Sequence, residues 1–142
     1  MSMSAEVFVD TNILVYSRDR YEPGKQLIAQ EALRRLWKGK HGRISTQVLN
    51  EYFVTVTRKL THGLSENEAW EDVEDLESWN PVPVDTYCLK TGRHVQLRYG
   101  ISWWDSLIVA AASIAGCETI LSEDLNPGQD YLGITVVNPF TA

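Results

Sequence analysis

The chain has 142 residues, of which 44% are hydrophobic, 10% aromatic and 23% charged; this excludes a fibrous or disordered chain and predicts one globular domain over 1–142, folding without a metal or disulfide staple. The formal charge of −6 argues against a polyanionic partner, yet Glu66, Glu68, Glu71, Asp72, Glu74, Asp75 and Glu77 supply that excess from one short stretch, so a nucleic acid is not excluded. The longest weakly charged run, Ser106 to Cys117, is well short of the ~20 residues that span a bilayer, and the opening Met-Ser-Met-Ser-Ala-Glu has neither the basic nor the apolar part of a signal peptide, so no membrane and a cytoplasmic location are expected.

Val7-Phe8-Val9 reads as a buried strand that runs through Asp10-Thr11-Asn12 into a helical turn carrying Ile13, Leu14 and Val15. Tyr21-Glu22-Pro23-Gly24 breaks the pattern, and Leu27, Ile28, Leu33, Leu36 and Trp37 then recur at helical spacing up to the turn at Lys38 to Gly42. Arg43-Ile44-Ser45 is a short second strand. Val48, Leu49, Tyr52, Phe53, Val56 and Leu60 mark one face of a helix that ends near His62-Gly63. Ser65 with Glu68 forms a capping-box pattern opening the acidic helix, whose inner side is expected to carry Trp70, Val73, Leu76 and Trp79. Pro81 to Val84 is a third strand. A helix with Leu89, Val95 and Leu97 runs to Tyr99-Gly100, and Ser102 opens another through Ala115. Thr119 to Leu121 is the fourth strand, Asn126-Pro127-Gly128 a turn, and Ile134 to Val137 the fifth strand. Short apolar strands alternating with helices predict an α/β domain whose parallel sheet is covered on both faces. Cys88 and Cys117 fall in helix-like patterns without CxxC spacing and are expected as reduced, packed thiols.

Ligands of open α/β sheets bind beyond the carboxyl ends of the strands, where strand order reverses. Asp10 follows the first strand and Asp124 the fourth, so neighbouring strands would bring both carboxylates to one crevice. Glu51 and Asp105 lie near the starts of helices among apolar neighbours, where an uncompensated carboxylate is costly. Acids converging on one cleft repel one another, and the usual compensation is a hard divalent cation, Mg²⁺ or Mn²⁺. Each acid also has a structural reading: Asp10 and Asp105 as helix caps, Glu51 on the rim of an amphipathic helix, Asp124 as a loop acid beside Glu123. Only their joint placement separates the two.

Four segments, Val7-Phe8-Val9-Asp10-Thr11-Asn12-Ile13-Leu14, Ser45-Thr46-Gln47-Val48-Leu49-Asn50-Glu51, Ser102-Trp103-Trp104-Asp105-Ser106-Leu107-Ile108-Val109-Ala110-Ala111-Ala112 and Leu121-Ser122-Glu123-Asp124-Leu125, resemble in order and spacing the signature blocks of PIN-domain nucleases. The compact length is most similar to the VapC-type toxin ribonucleases of toxin–antitoxin pairs. The resemblance implies a three-layer α/β/α PIN-like fold with strand order 3-2-1-4-5. It implies Asp10, Glu51, Asp105 and Asp124 as catalytic, metal-binding acids, with Thr11, Asn12 and Ser122 orienting them. Glu123 is an additional acid whose direction the sequence leaves open. A partner is implied too: a small antitoxin whose C-terminal segment lies across the cleft, besides association into homodimers.

Phosphodiester hydrolysis needs an activated water and neutralisation of charge on the phosphate, both of which carboxylate-held Mg²⁺ supplies. His41, His62 and His94 lie outside the four blocks, and neither a Gly-x-Ser-x-Gly elbow nor a phosphate-binding glycine loop occurs. The expected reaction is metal-dependent endonucleolytic cleavage of single-stranded or looped RNA. Lys90, Arg93, His94 and Arg98 offer a basic stripe beside the Asp105 helix, and Trp104 an indole to stack a base; solvated charge and core packing are the competing explanations. Three alternatives stand beside it. A phosphoacceptor receiver module would need a lysine after the fifth strand, and none follows Lys90; a haloacid-type phosphatase would need an acid at Asn12. A PIN-like module that binds RNA without cutting it is opposed only by the presence of all four acids.

Overall fold

The computed structural model describes residues 5–141; residues 1–4, which carry most of the segment read above for a leader, and residue 142 lie outside them. Strand β1 (Val7–Val9) lies second from one edge of a five-stranded sheet of order β2-β1-β3-β5-β4. β2 (Gly42–Arg43) and β3 (Thr119–Leu121) run parallel to it on either side, β5 (Ile134–Val137) runs parallel to β3, and β4 (Asp130–Tyr131) is antiparallel at the rim. Phe8, Val9 and Ile120 are wholly buried, as strands covered by helices on both faces must be. Phe8 pairs with Ile120 and Val9 with Leu121, so β1 and β3 end side by side.

The expected order is borne out with two differences at the rims. The third expected strand, Pro81 to Val84, is reduced to one parallel bridge, Ser45 to Val82. Val82 donates to the Ile44 carbonyl at 2.9 Å and accepts from Thr46 at 3.0 Å, but Pro81 and Pro83 have no N–H to extend the ladder. β4 was not foreseen. Its turn, Leu132-Gly133, takes left-handed φ values of 55° and 84° without the Asn-Gly or Asp-Gly signal of such hairpins, and the Gly133 amide is held by Asp130 Oδ1 at 2.8 Å.

Helices α1 (Thr11–Tyr16) and α2 (Pro23–Gly39) follow β1. Pro23 opens α2 at its first position, where its fixed φ and missing N–H cost nothing, so the break expected there is a helix start. α3 (Thr46–Val54) is capped by Ser45 and continues as a single π-helical turn, Thr55–Lys59. Gly63 closes that turn: a Cβ there would stand 2.1 Å from the Val56 carbonyl oxygen. α4 (Glu66–Leu76) begins with the expected capping box, Ser65 and Glu68 each bonding the other's amide at 3.1 Å. Ala69, Val73 and Leu76 face inward, and Trp79 is buried in the 3₁₀ turn that follows. Trp70, expected beside them, is 53% exposed and meets only the edge of Phe53, because it stands about 100° from Ala69 around the helix.

α5 (Thr86–Tyr99) and α6 (Trp103–Ile114) pack tightly together, with Gly92 of α5 against Leu107 of α6. Leu107 to Ala112 are all buried, as befits a helix apolar all round, whereas Leu89 and Leu97 of α5 face solvent. Cys88 and Cys117 are free and buried; Cys117 lies in the turn after α6, not in a helix. No helix among the described residues is long and apolar enough to cross a membrane. Gly63→Ala should destabilise the fold by about 1–3 kcal/mol, read as a lower urea midpoint; an unchanged midpoint would mean that the π turn can move away from the added methyl.

Candidate functional site

Asp10 leaves the end of β1 and caps α1, its Oδ1 accepting the Thr11 amide at 2.7 Å. Its side chain is enclosed at 6% exposure, and the other oxygen accepts the Ser122 hydroxyl at 2.7 Å and the Asn12 amide at 3.4 Å. Ser122, at the end of β3, is wholly buried and in turn accepts the amides of Asp124 and Leu125 at 3.1 and 3.2 Å. Asn12 completes the crossing: Nδ2 donates to Asp124 Oδ2 at 3.1 Å, and Oδ1 accepts the Glu123 amide at 3.1 Å. Asp10 and Asp124 are therefore locked together across two strand ends. Thr11 contributes its backbone amide; its hydroxyl oxygen is buried without a partner.

Asp105 enters from the first turn of α6, half-buried, its amide bonded to Ser102 Oγ at 3.1 Å. Glu51 is the sixth residue of α3, not near its start, and is exposed, as is Asp124. The four acids act on one another through their charges. Burial pushes the Asp10 carboxyl up to about 6, opposed by its bonds from Ser122 and Thr11 and reinforced by the charges of Asp124 and Asp105. Desolvation and then the charges of Asp105 and Asp124 raise Glu51, against a lowering contact from Gln47. Desolvation and the Asp124 charge likewise raise Asp105, against its bond to Ser102.

Glu123, next in sequence to Asp124, faces away from this cleft. It accepts from Lys25 and, at 2.8 Å, from the Tyr16 hydroxyl; burial alone would raise its carboxyl, and these donors hold it below the usual range. Lys25 and Tyr16 carried no sequence signal, because the contact spans 98 residues. Lys90, Arg93, His94 and Arg98 are all exposed on α5, but Arg93 and Arg98 are not on one stripe: five residues turn a helix about 140°. Arg93 bonds Gln96 at 2.8 Å, whereas Arg98 lies over the Tyr99 ring, which packs edge-on against Tyr131. Burial and then the Asp105 charge raise the Tyr131 phenol. Trp104, next to Asp105, is 63% exposed. A cavity of about 670 Å³ lies elsewhere, bounded by Leu14, Leu33, Trp37, Tyr52 and Asp72.

The chemistry of the donor set fits a hard divalent cation: four carboxylates with two buried, unpartnered oxygens close by in the chain, Thr11 Oγ1 and Gln47 Oε1, and neither thiolate nor imidazole among them. Among the described residues no three His, Cys, Asp or Glu side chains converge tightly enough to coordinate one ion.

The profile of the PIN domain family matches residues 7–128. The chain is similar in fold to a toxin–antitoxin complex from Klebsiella pneumoniae, with a TM-score of 0.64 and 20% identity over 95% of this chain and 98% of that one. It is similar also to VapBC2 from Rickettsia felis bound to a DNA fragment from their promoter, with a TM-score of 0.62 and 15% identity over 92% and 96% of the two chains. No curated protein is significantly similar in sequence.

The buried Asp10 carboxyl makes stability depend on pH. The native state takes up this proton near pH 6, the unfolded chain only near 3.8, so the native state binds more protons in between and metal-free stability rises as pH falls from 8 to 5. The contribution of this group is on the order of 1–3 kcal/mol. Urea melts in chelator at both pH values should show that gain shrinking in Asp10→Asn; equal gains in both proteins would contradict the assignment.

Proposed function

Because the chain belongs to the PIN-domain family, we propose that it is a metal-dependent endoribonuclease, the VapC-like toxin of a toxin–antitoxin pair. The observation that supports this reading is the hydrogen-bonded pairing of Asp10 and Asp124 through Asn12 and Ser122 at the ends of β1 and β3, with Asp105 and Glu51 within reach of their charge. When bound there, Mg²⁺ or Mn²⁺ supplies Lewis acidity toward a phosphodiester oxygen and toward water, the nucleophile. The four acids hold the cation. Ser122 and Asn12 fix Asp10 and Asp124 at the distance their hydrogen bonds set, and the Ser122 bond opposes the rise that burial gives the Asp10 carboxyl. Thr11 reinforces this through its amide. Glu123 is already neutralised by Lys25 and is not a ligand in this reading.

RNA is the proposed substrate, with no conserved base sequence implied. An unpaired base stacks on the exposed Trp104 indole beside Asp105, and Arg98, with Arg93 farther round α5, neutralises flanking phosphates. Both structural neighbours come from toxin–antitoxin assemblies, which supports a small antitoxin as partner. In this reading a basic residue of the antitoxin's C-terminal segment occupies the acidic cleft, and the toxin itself associates as a homodimer.

Asp105→Asn keeps the side chain's size and the bond of its amide to Ser102, so it should fold as wild type and lose RNA cleavage in Mn²⁺; near wild-type cleavage would leave Asp105 as a cap alone. In thermal melts Mn²⁺ at a hundredfold excess over Kd should stabilise wild type by about 2.7 kcal/mol and Asp10→Asn much less. Replacing Arg93 and Arg98 together by Ala should flatten the salt dependence of RNA binding by about 0.7 per lost phosphate contact, read from binding titrations across salt; an unaltered slope would return both to the solvated surface.

A further inference from the structure

Gln47 is the least explained polar side chain near the carboxylates. It sits in the first turn of α3 at 8% exposure. Glu51 follows four residues later and so projects from the same side of the helix. The Gln47 Nε2 donates at 3.3 Å to the backbone carbonyl of Trp104, the residue before Asp105. Among the described residues this is the single hydrogen bond that joins α3 to α6. The two helices otherwise pack on other elements, α3 on α1 and α4, α6 on α5. The gap between Glu51 and Asp105 thus has one direct tie across it.

Resting on the nuclease reading above, we propose that Gln47 is a positioning residue whose amide ties α3 to α6 and so sets the separation at which Glu51 and Asp105 face a common cation. The residue type fits the task. A helical carbonyl keeps a second lone pair after its own ladder bond, and a primary amide has two N–H groups, one for Trp104 and a second on the side of α3 that carries Glu51. Lys or Arg would neutralise the carboxylates, and Glu would add to their repulsion without donating. Oε1 is buried with no donor, a cost that a group retained only for packing would avoid, since an apolar chain of similar volume fills the same space.

The test compares Gln47→Met, close in shape, with wild type, and uses Gln47→Leu should the first variant fold poorly. Mn²⁺ titration followed by calorimetry should show a Kd raised about tenfold, within the range for loss of a group that orients a ligand. In chelator the melting temperature of the variant should equal or exceed that of wild type, which a purely structural amide would not allow. In RNA cleavage kcat should fall while KM for RNA stays within twofold. An unchanged Mn²⁺ Kd, or a rise matched by a lower melting temperature in chelator, overturns the proposal. A wild type that binds Mn²⁺ and leaves RNA intact counts against the nuclease reading alone, because the titration still reports on Gln47.

Discussion

Burying the carboxylate of Asp10 at the end of β1 is the constraint on which the remainder depends. A lone ionised acid in that position is costly, and two strand ends are built to lower the cost. Ser122 and Asn12 each bond Asp10 from one side and the loop after β3 from the other. The same bonds that keep Asp10 charged therefore fix where Asp124 stands. Sheet register is part of this device: with Val9 opposite Leu121, the residues that follow both strands meet at the same level, whereas a slip of one position would turn Ser122 to the other face.

Neighbouring acids are sorted by what faces them. Glu123 and Asp124 are adjacent in sequence, yet one is discharged by Lys25 and Tyr16 and the other joins the cleft. Lys25 also lies 4.7 Å from the centre of the Tyr16 ring, a second attraction that holds it in place. The negative charge at the cleft is thus limited to the groups that a cation would meet. Farther off, the acidic face of α4 is tied back to the body through Asp72, which takes both Arg18 and the Tyr52 hydroxyl.

Much of this was legible in the sequence, for local reasons. Asp10 falls directly after a strand and Asp105 in the first turn of a helix, and caps depend on the nearest three or four residues, so Ser65 with Glu68 and Ser102 with Asp105 appear where expected. What was not legible depends on distance or on phase. Which of Glu123 and Asp124 faces the cleft is decided by Lys25, nearly a hundred residues earlier. Trp70 was assigned to the wrong side of α4 because one residue of phase separates it from Ala69. The third strand looked β-like by its valines, but the prolines between them remove the donors that a ladder needs. Gln47 lay in a recognised segment, and its burial depends on a carbonyl in another helix.

The two rims of the sheet carry a consequence for assembly. Exposed strand edges are templates for pairing with another chain. At one rim the backbone beyond β2 is met by Val82 between two prolines, and at the other stands β4, two residues long, with Tyr131 turned into the core. Neither offers a run of free donors and acceptors on which a foreign strand can be laid down. Among the described residues neither rim is built for recognition by strand addition, which leaves helix faces and loops as the surfaces a partner would meet. Specificity there is written in side chains, which evolve more freely than a backbone ladder, so a partner can diverge while the sheet stays as it is.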